Sequence, residues 1–194
     1  MSVAFVLGNG ISRRGLDLQL LQSIAPVYGC NALYREFAPN ALIATDKPIS
    51  EQIQHSGYPL KHRFYTRNPI AGLGAYPVIE QYWGFSSGPL AVGHAAADQH
   101  GKIYMLGFDM GPVNEKFNNI YADTEFYKKS NAVPTFTGNW VNQIIQVTKD
   151  YPAVKFVRVQ GETTANIDQL NSIHNLTHLS ILEFQNRINN KKDL

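Results

Sequence analysis

Val3 to Leu7 is an unbroken apolar run containing two valines, and a run without alternation predicts a strand covered on both faces, as in a parallel sheet. It stops at Gly8-Asn9-Gly10. Apolar positions then recur at helical spacing through Leu16, Leu18, Leu20, Leu21 and Ile24, with Ser12 placed to cap the segment and Pro26 to end it. Val27 to Leu33 and Ala41 to Ala44 read as the next two strands, the latter running into Thr45-Asp46-Lys47-Pro48. Strand, helix, strand, short helix, strand is the order of a doubly wound α/β fold. Between Gln54 and Trp83 the periodicity fades among prolines, glycines and aromatic residues, leaving loops with one or two short strands, His62 to Tyr65 among them. Order returns with a helix from Ser87 to about Gln99, whose small residues suit close packing on a sheet, and a strand from Lys102 to Phe108. Met110 to Val133 is polar and asparagine-rich and predicts a lid over residues 110–135. A helix from Gly138 to Lys149 and a last strand from Val154 to Val159 follow. The tail from Asn166 to Ile188 has helical spacing throughout.

Composition narrows the class. A chain of 194 residues, 44% apolar and 11% aromatic, has enough material for one domain spanning 1–194 that buries roughly 70% of its unfolded surface. The net charge is only +2, and the basic groups are short: Lys61-His62-Arg63 to Arg67, and Lys191-Lys192. They read as solvated loop and tail charges, so no nucleic-acid partner is expected. A single cysteine, Cys30, excludes an intrachain disulfide. No segment has the form of a signal peptide or the roughly 18–20 apolar residues of a membrane span, so a cytoplasmic protein is expected. The aromatics of 54–83 serve either a homo-oligomer interface or the core.

The chemistry-bearing residues gather at strand ends. Gly8-Asn9-Gly10-Ile11-Ser12 is a turn between strand and helix, where glycines admit a phosphate or nucleotide to the backbone and the helix offers its first amides. It is not a dinucleotide fingerprint: the third glycine position holds Arg13, and Cys30-Asn31 stand where an acidic ribose partner is expected. Asn31 can both donate to and accept from a base edge or a ribose hydroxyl. Asp46 can hold a sugar hydroxyl or a Mg²⁺-nucleotide, or simply open a turn. Ser86 and Ser87 open a helix, either as a plain cap or as a site for a carboxylate or phosphate. Gly107 and Asp109 follow the fourth strong strand, with Tyr121 and Asp123 downstream. In an open α/β sheet, the carboxyl edge on which these groups converge is the ligand edge.

Gly8-Asn9-Gly10-Ile11-Ser12, Gly29-Cys30-Asn31, Phe85-Ser86-Ser87-Gly88, Ile103 to Asp109 and Tyr121-Ala122-Asp123 together resemble the bacterial α-2,3-sialyltransferases of the Campylobacter type. There the succession reads G-N-G-P-S, R-C-N, I-T-S-G, I-Y-L-S-G-I-D and S-Y-A-F-D, and the resemblance covers about half of the chain. It implies a Rossmann-like, GT-A-like sheet that binds a nucleotide or CMP-sugar, uses a glycan acceptor, and needs no metal or other cofactor. Asn9 and Asn31 would contact CMP, Ser87 the sugar carboxylate, Gly107 and Asp109 the nucleotide surroundings, and Tyr121 the phosphate.

The chain also departs from that family. Ile11 replaces a proline, Gly111 a second phosphate-binding tyrosine, and Gly138-Asn139-Trp140 the G-H-S motif that carries the family's histidine base. Neither asparagine nor tryptophan takes a proton at neutral pH. His94 reads as a packed helix residue. Three readings stand: transfer with a replacement carboxylate, Asp46 or Asp123; a non-catalytic binding or structural descendant, a pseudoenzyme; and a Mg²⁺-dependent enzyme like the archaeal-type hydroxymethylpterin pyrophosphokinases, which place an aspartate after the third strand.

Overall fold

The structure is a computed structural model describing residues 2–190; Lys191-Lys192 lies outside them. Strands β1 (Val3–Leu7), β2 (Val27–Cys30), β3 (Ala41–Ile43), β4 (Phe64–Thr66), β5 (Tyr76–Pro77), β6 (Lys102–Leu106), β7 (Lys155–Gln160) and β8 (Leu176–Ser180) form one eight-stranded sheet. Their order is β5-β4-β3-β2-β1-β6-β7-β8, with every neighbouring pair parallel. The chain winds outward from β1 to β5, then crosses back to lay β6 on the other side of β1. Phe5 accordingly pairs with Val27 on one side and Tyr104 on the other. The reversal at β1 and β6 leaves a crevice at their carboxyl ends.

Among the described residues the α-helices are α1 (Leu18–Ile24), α2 (Lys47–His55), α3 (Ser87–Ala97), α4 (Gly138–Asp150), α5 (Asp168–Asn171) and α6 (Ile181–Asn190). Alternate strand residues point to opposite faces. Ala4, Val6, Ile103, Met105 and Phe156 pack with Leu90 and Ala91 of α3 and Ile144 of α4. Phe5, Leu7, Tyr104, Leu106 and Val157 pack with Leu21 of α1, Ile49 and Ile53 of α2, and Phe184 of α6. Both faces are thus buried, which is why β1 and β6 are apolar without alternating.

Four local expectations change. Helix α1 starts at Leu18, capped by Asp17, whose Oδ1 accepts from the Leu20 amide at 2.9 Å. Ser12 lies instead in a 3₁₀ turn, Ile11–Arg13, cut off from α1 by Gly15 at φ +83°. Helix α2 was hidden in a stretch read as turn; Asp46 occupies its N-cap position, and Pro48 fits its first turn, where no amide partner is needed. Ser86, not Ser87, is the N-cap of α3. Finally, β7 is not the last strand. Leu176 and Leu179 of β8 are three apart, which mimics a helix, yet they enter opposite faces of the sheet.

In the 54–83 segment Phe64 and Tyr82 are core residues, while Tyr76 and Trp83 are about half exposed, at 53% and 55%. Residues 107–137 form turns with one isolated bridge, between Val113 and Lys116. Among the described residues no helix is long and apolar enough to cross a membrane.

Candidate functional site

At the crevice the two strand tips touch through backbone. Gly8 N donates to Leu106 O at 2.8 Å and Gly10 N to Gly107 O at 2.9 Å. A Cβ on Gly10 would sit 2.5 Å from the Asp109 carboxyl carbon. Gly107 has φ +73°, and a Cβ there would stand 2.8 Å from Gly8 O. These glycines are therefore needed to pack one turn on the other. The amides that follow are occupied by the chain itself: Ile11 N donates to Asn118 Oδ1 and Ser12 N to Asp109 Oδ2. The expected phosphate cradle at this turn is thus closed, because side chains already take its donors.

Asp109 is the hub of that closure. It is 2% exposed, and its carboxylate accepts from Ser12 N, Asn118 Nδ2, Thr163 Oγ1 and Thr164 Oγ1 at 2.7–3.2 Å. Behind it lies Arg158, fully buried on β7, which donates to the carbonyls of Phe108, Asp109 and Ala165. Burial lowers the Arg158 guanidinium to about 10, against the raising effect of Asp109. On the opposite side buried Arg13 donates to Gly8 O at 2.6 Å and to the Tyr121 phenol at 3.0 Å. Neither arginine belongs to a recognisable motif, and only their burial reveals that they brace the two turns.

A cleft of about 340 Å³ opens above these turns. Gly8, Asn9, Gly10, Asn31, Asp46, Ser86, Ser87, Gly107 and Asp109 all line it. Tyr121 and Asp123 do not. Tyr121 is buried on the α1, α2 and α6 side, donating to Glu36 and accepting from Arg13, and burial is the main cause of its raised pKa. Asp123 sits on the surface at φ +68°; its carboxylate accepts from the Ser130 amide and is held below the usual range chiefly by Ser130. Sequence reading missed Asn118, Phe117, Thr135 and Trp140, which also line the cleft. Trp140 carried a signal, since it falls in the segment that replaces the G-H-S motif.

The lining groups differ in what they leave free. Ser87 Oγ is turned inward, accepting from Thr45 N and bonding Thr45 Oγ1, both at 3.0 Å. Asn9 Oδ1 and Asn31 Oδ1 are buried acceptors with no partner, and such groups are costly unless something donates to them. Asn31 is held at φ +53°. The first turns of α3 (Ser86 to Pro89) and α4 (Thr137 to Trp140) both reach the cleft, adding positive helix-dipole ends to a lining that, among the described residues, contains no Lys, Arg or His. The Cys30 thiol is pushed up to about 12 by burial, which removes it as a nucleophile. Asp46 is exposed to the cleft, and its carboxylate makes no hydrogen bond to cap α2. His94 lies away from the cleft, 5% exposed, its ring 4.3 Å from that of Tyr65. Among the described residues no group of three or more His, Cys, Asp or Glu gathers where it could hold a metal ion.

No family model and no curated protein sequence matches the chain. Solved structures do. One is the sialyltransferase CstII from Campylobacter jejuni in complex with the substrate analogue cytidine-5'-monophosphate, at 17% identity and TM-score 0.50, with 90% of this chain and 84% of that chain covered. A sialyltransferase Cst-II complex with a trisaccharide acceptor and CMP matches at 16% identity and TM-score 0.54, covering 89% and 85%. A CstII variant, described as an α-2,3/8-sialyltransferase, matches at 14% and 0.51, covering 86% and 90%. At such identities what is shared is architecture: the chain has the fold of the Campylobacter sialyltransferase CstII, one parallel α/β sheet with a cleft at its switch point.

Proposed function

We propose that the cleft binds CMP or a CMP-sugar and transfers the sugar to an acceptor hydroxyl, with Asp46 replacing the absent histidine base. The observation that carries this reading is the pair of unpartnered carboxamide oxygens, Asn9 Oδ1 and Asn31 Oδ1, in a cleft that also presents one uncommitted carboxylate. The amino group of a cytosine and the hydroxyls of a ribose are donors of the kind those oxygens lack. The helix ends of α3 and α4 supply a field that suits a phosphate without a cation. In the step itself, the acceptor oxygen forms a bond to the anomeric carbon and the bond from that carbon to the phosphate oxygen breaks. CMP leaves with the electron pair, and the acceptor proton passes to Asp46. Asp109 cannot play that part, because its oxygens are engaged by four donors. Tyr121 is bonded elsewhere, so the departing phosphate relies on helix amides and the Thr135 hydroxyl of the cleft wall.

The test is calorimetric titration with CMP, CTP and ATP, each with and without Mg²⁺, followed by transfer assays. CMP binding without metal, retained in Asp46→Asn while transfer falls by about 10²-fold or more, is the expected result for loss of a general base. Binding of a triphosphate only with Mg²⁺ would move the assignment to phosphoryl chemistry at Asp46. CMP binding with no transfer to any acceptor would leave a nucleotide-binding descendant without turnover.

A further inference from the structure

We infer that Trp140 is a stacking platform for the sugar ring of an uncharged acceptor, forming a second subsite of the same cleft; this rests on the CMP-sugar reading above. The indole lies in the first turn of α4, half-buried, its inner edge against the α3–α4 core and its remaining surface in the cleft wall. The post-β6 segment gives the same wall Met110, Pro112, Phe117 and Pro134 together with the polar Asn118, Thr135 and Thr137, whereas the unpaired carboxamides of Asn9 and Asn31 follow β1 and β2. Donor-rich groups suit the tips of β1 and β2, and a ring with an apolar face suits the indole of the first α4 turn.

Several observations narrow the occupant of the indole face. An indole offers a flat, rigid, apolar face at small entropic cost, and a pyranose presents a patch of C–H groups that fits such a face. Among the described residues the lining holds no Lys, Arg or His to neutralise an acidic acceptor, while the free Asp46 carboxylate would repel one. A neutral glycoside meets both conditions. A nucleobase could also stack on indole, but the base-edge partners, Asn9 and Asn31, come from the turns after β1 and β2 and not from α4.

The chain has two tryptophans, so one substitution makes Trp140 its own reporter. Trp83 does not line the cleft and is held by Arg67, whose Nε donates to its carbonyl and whose guanidinium lies 5.4 Å from its ring centre. Trp83→Phe keeps both contacts. In that variant, indole fluorescence is titrated with methyl glycosides of glucose, galactose and N-acetylglucosamine, each with and without saturating CMP. The expected result is saturable quenching or a blue shift with at least one glycoside, and at most a small change with CMP alone. Trp140→Phe should weaken that glycoside by less than tenfold and Trp140→Leu by more than tenfold, with calorimetric CMP affinity changed less than threefold in both. No saturable response to any glycoside, with or without CMP, overturns the inference. A full response to CMP alone, with CMP affinity lost in Trp140→Leu, also overturns it and places the base on the indole. Failure of CMP to bind while glycosides still quench would sink the CMP-sugar reading and leave the sugar platform standing.

Discussion

Asn31 joins a ligand-facing carboxamide to a left-handed backbone, φ +53°, and the two roles can be separated by substitution. Glycine accepts that backbone without strain but has no carboxamide, whereas alanine loses the carboxamide and strains the backbone by about 1–2 kcal/mol. Asn31→Gly should therefore unfold within a degree or two of the wild type yet bind CMP about tenfold more weakly, the worth of one good hydrogen bond of about 1.4 kcal/mol. Asn31→Ala should lose the same affinity and also melt several degrees lower, at roughly 2–4 °C per kcal/mol for a chain of this size. Calorimetry and thermal melting on both variants check this. Wild-type affinity in Asn31→Gly would mean that the buried oxygen serves the fold and not a ligand. Ser87 illustrates the opposite case: its hydroxyl looks ligand-directed in sequence, but Thr45 holds it in the interior.

Between elements, Asp109 binds the tip of β6 to the turn after β1 and, through Thr163 and Thr164, to the turn after β7. Removing its carboxylate leaves Ser12 N and the Thr163 and Thr164 hydroxyls without this acceptor in a partly buried place, while Asn118 Nδ2 keeps Gly111 O, a loss of about 3 kcal/mol. Asp109→Ala should melt some 6–12 °C lower. Because the Gly10–Ser12 turn loses its brace, it should bind CMP weakly even where it is still folded. A variant that melts like the wild type would show that the donors find water or that the turn stands alone. This hub also marks what the sequence made legible. The apolar runs of β1 and β6, the Gly-x-Gly turn and the convergence of polar residues on one sheet edge follow from local pattern, and they placed most of the cleft. The bracing roles of Arg13 and Arg158 did not, since each depends on a tertiary contact, Arg13 with the Tyr121 phenol and Arg158 with the carbonyls of Phe108 and Asp109, that no local pattern contains. Helix α2 and strand β8 were obscured for local reasons. Asp46-Lys47-Pro48 looks like a turn, and the spacing of Leu176 and Leu179 imitates a helix when both faces of a strand are covered.

Across the whole molecule, buried His94 and half-buried His100 and His178 make stability depend on pH with a definite sign. Burial lowers His94 from the ordinary 6.5 to about 4, with Asp98 acting in the opposite direction and Arg63 reinforcing the fall. His100 and His178 are lowered as well, each first by burial. The unfolded chain takes up these protons near the ordinary value, while the folded chain resists until a lower pH. The contribution to stability is thus complete above about 6.5 and is lost as pH falls toward 4. At about 1.4 kcal/mol for each pH unit, His94 alone accounts for roughly 3 kcal/mol across that window. Denaturant unfolding at pH 7.5, 6.5, 5.5 and 4.5 should therefore show a steady loss in the wild type. His94→Phe keeps a ring against Tyr65 and removes a nitrogen that has no partner, so it should flatten the slope while equalling or exceeding wild-type stability at pH 7.5. A variant slope as steep as the wild type would place the titration on the other two histidines. A large loss of stability at pH 7.5 would mean that the imidazole of α3 holds a water that joins it to the sheet.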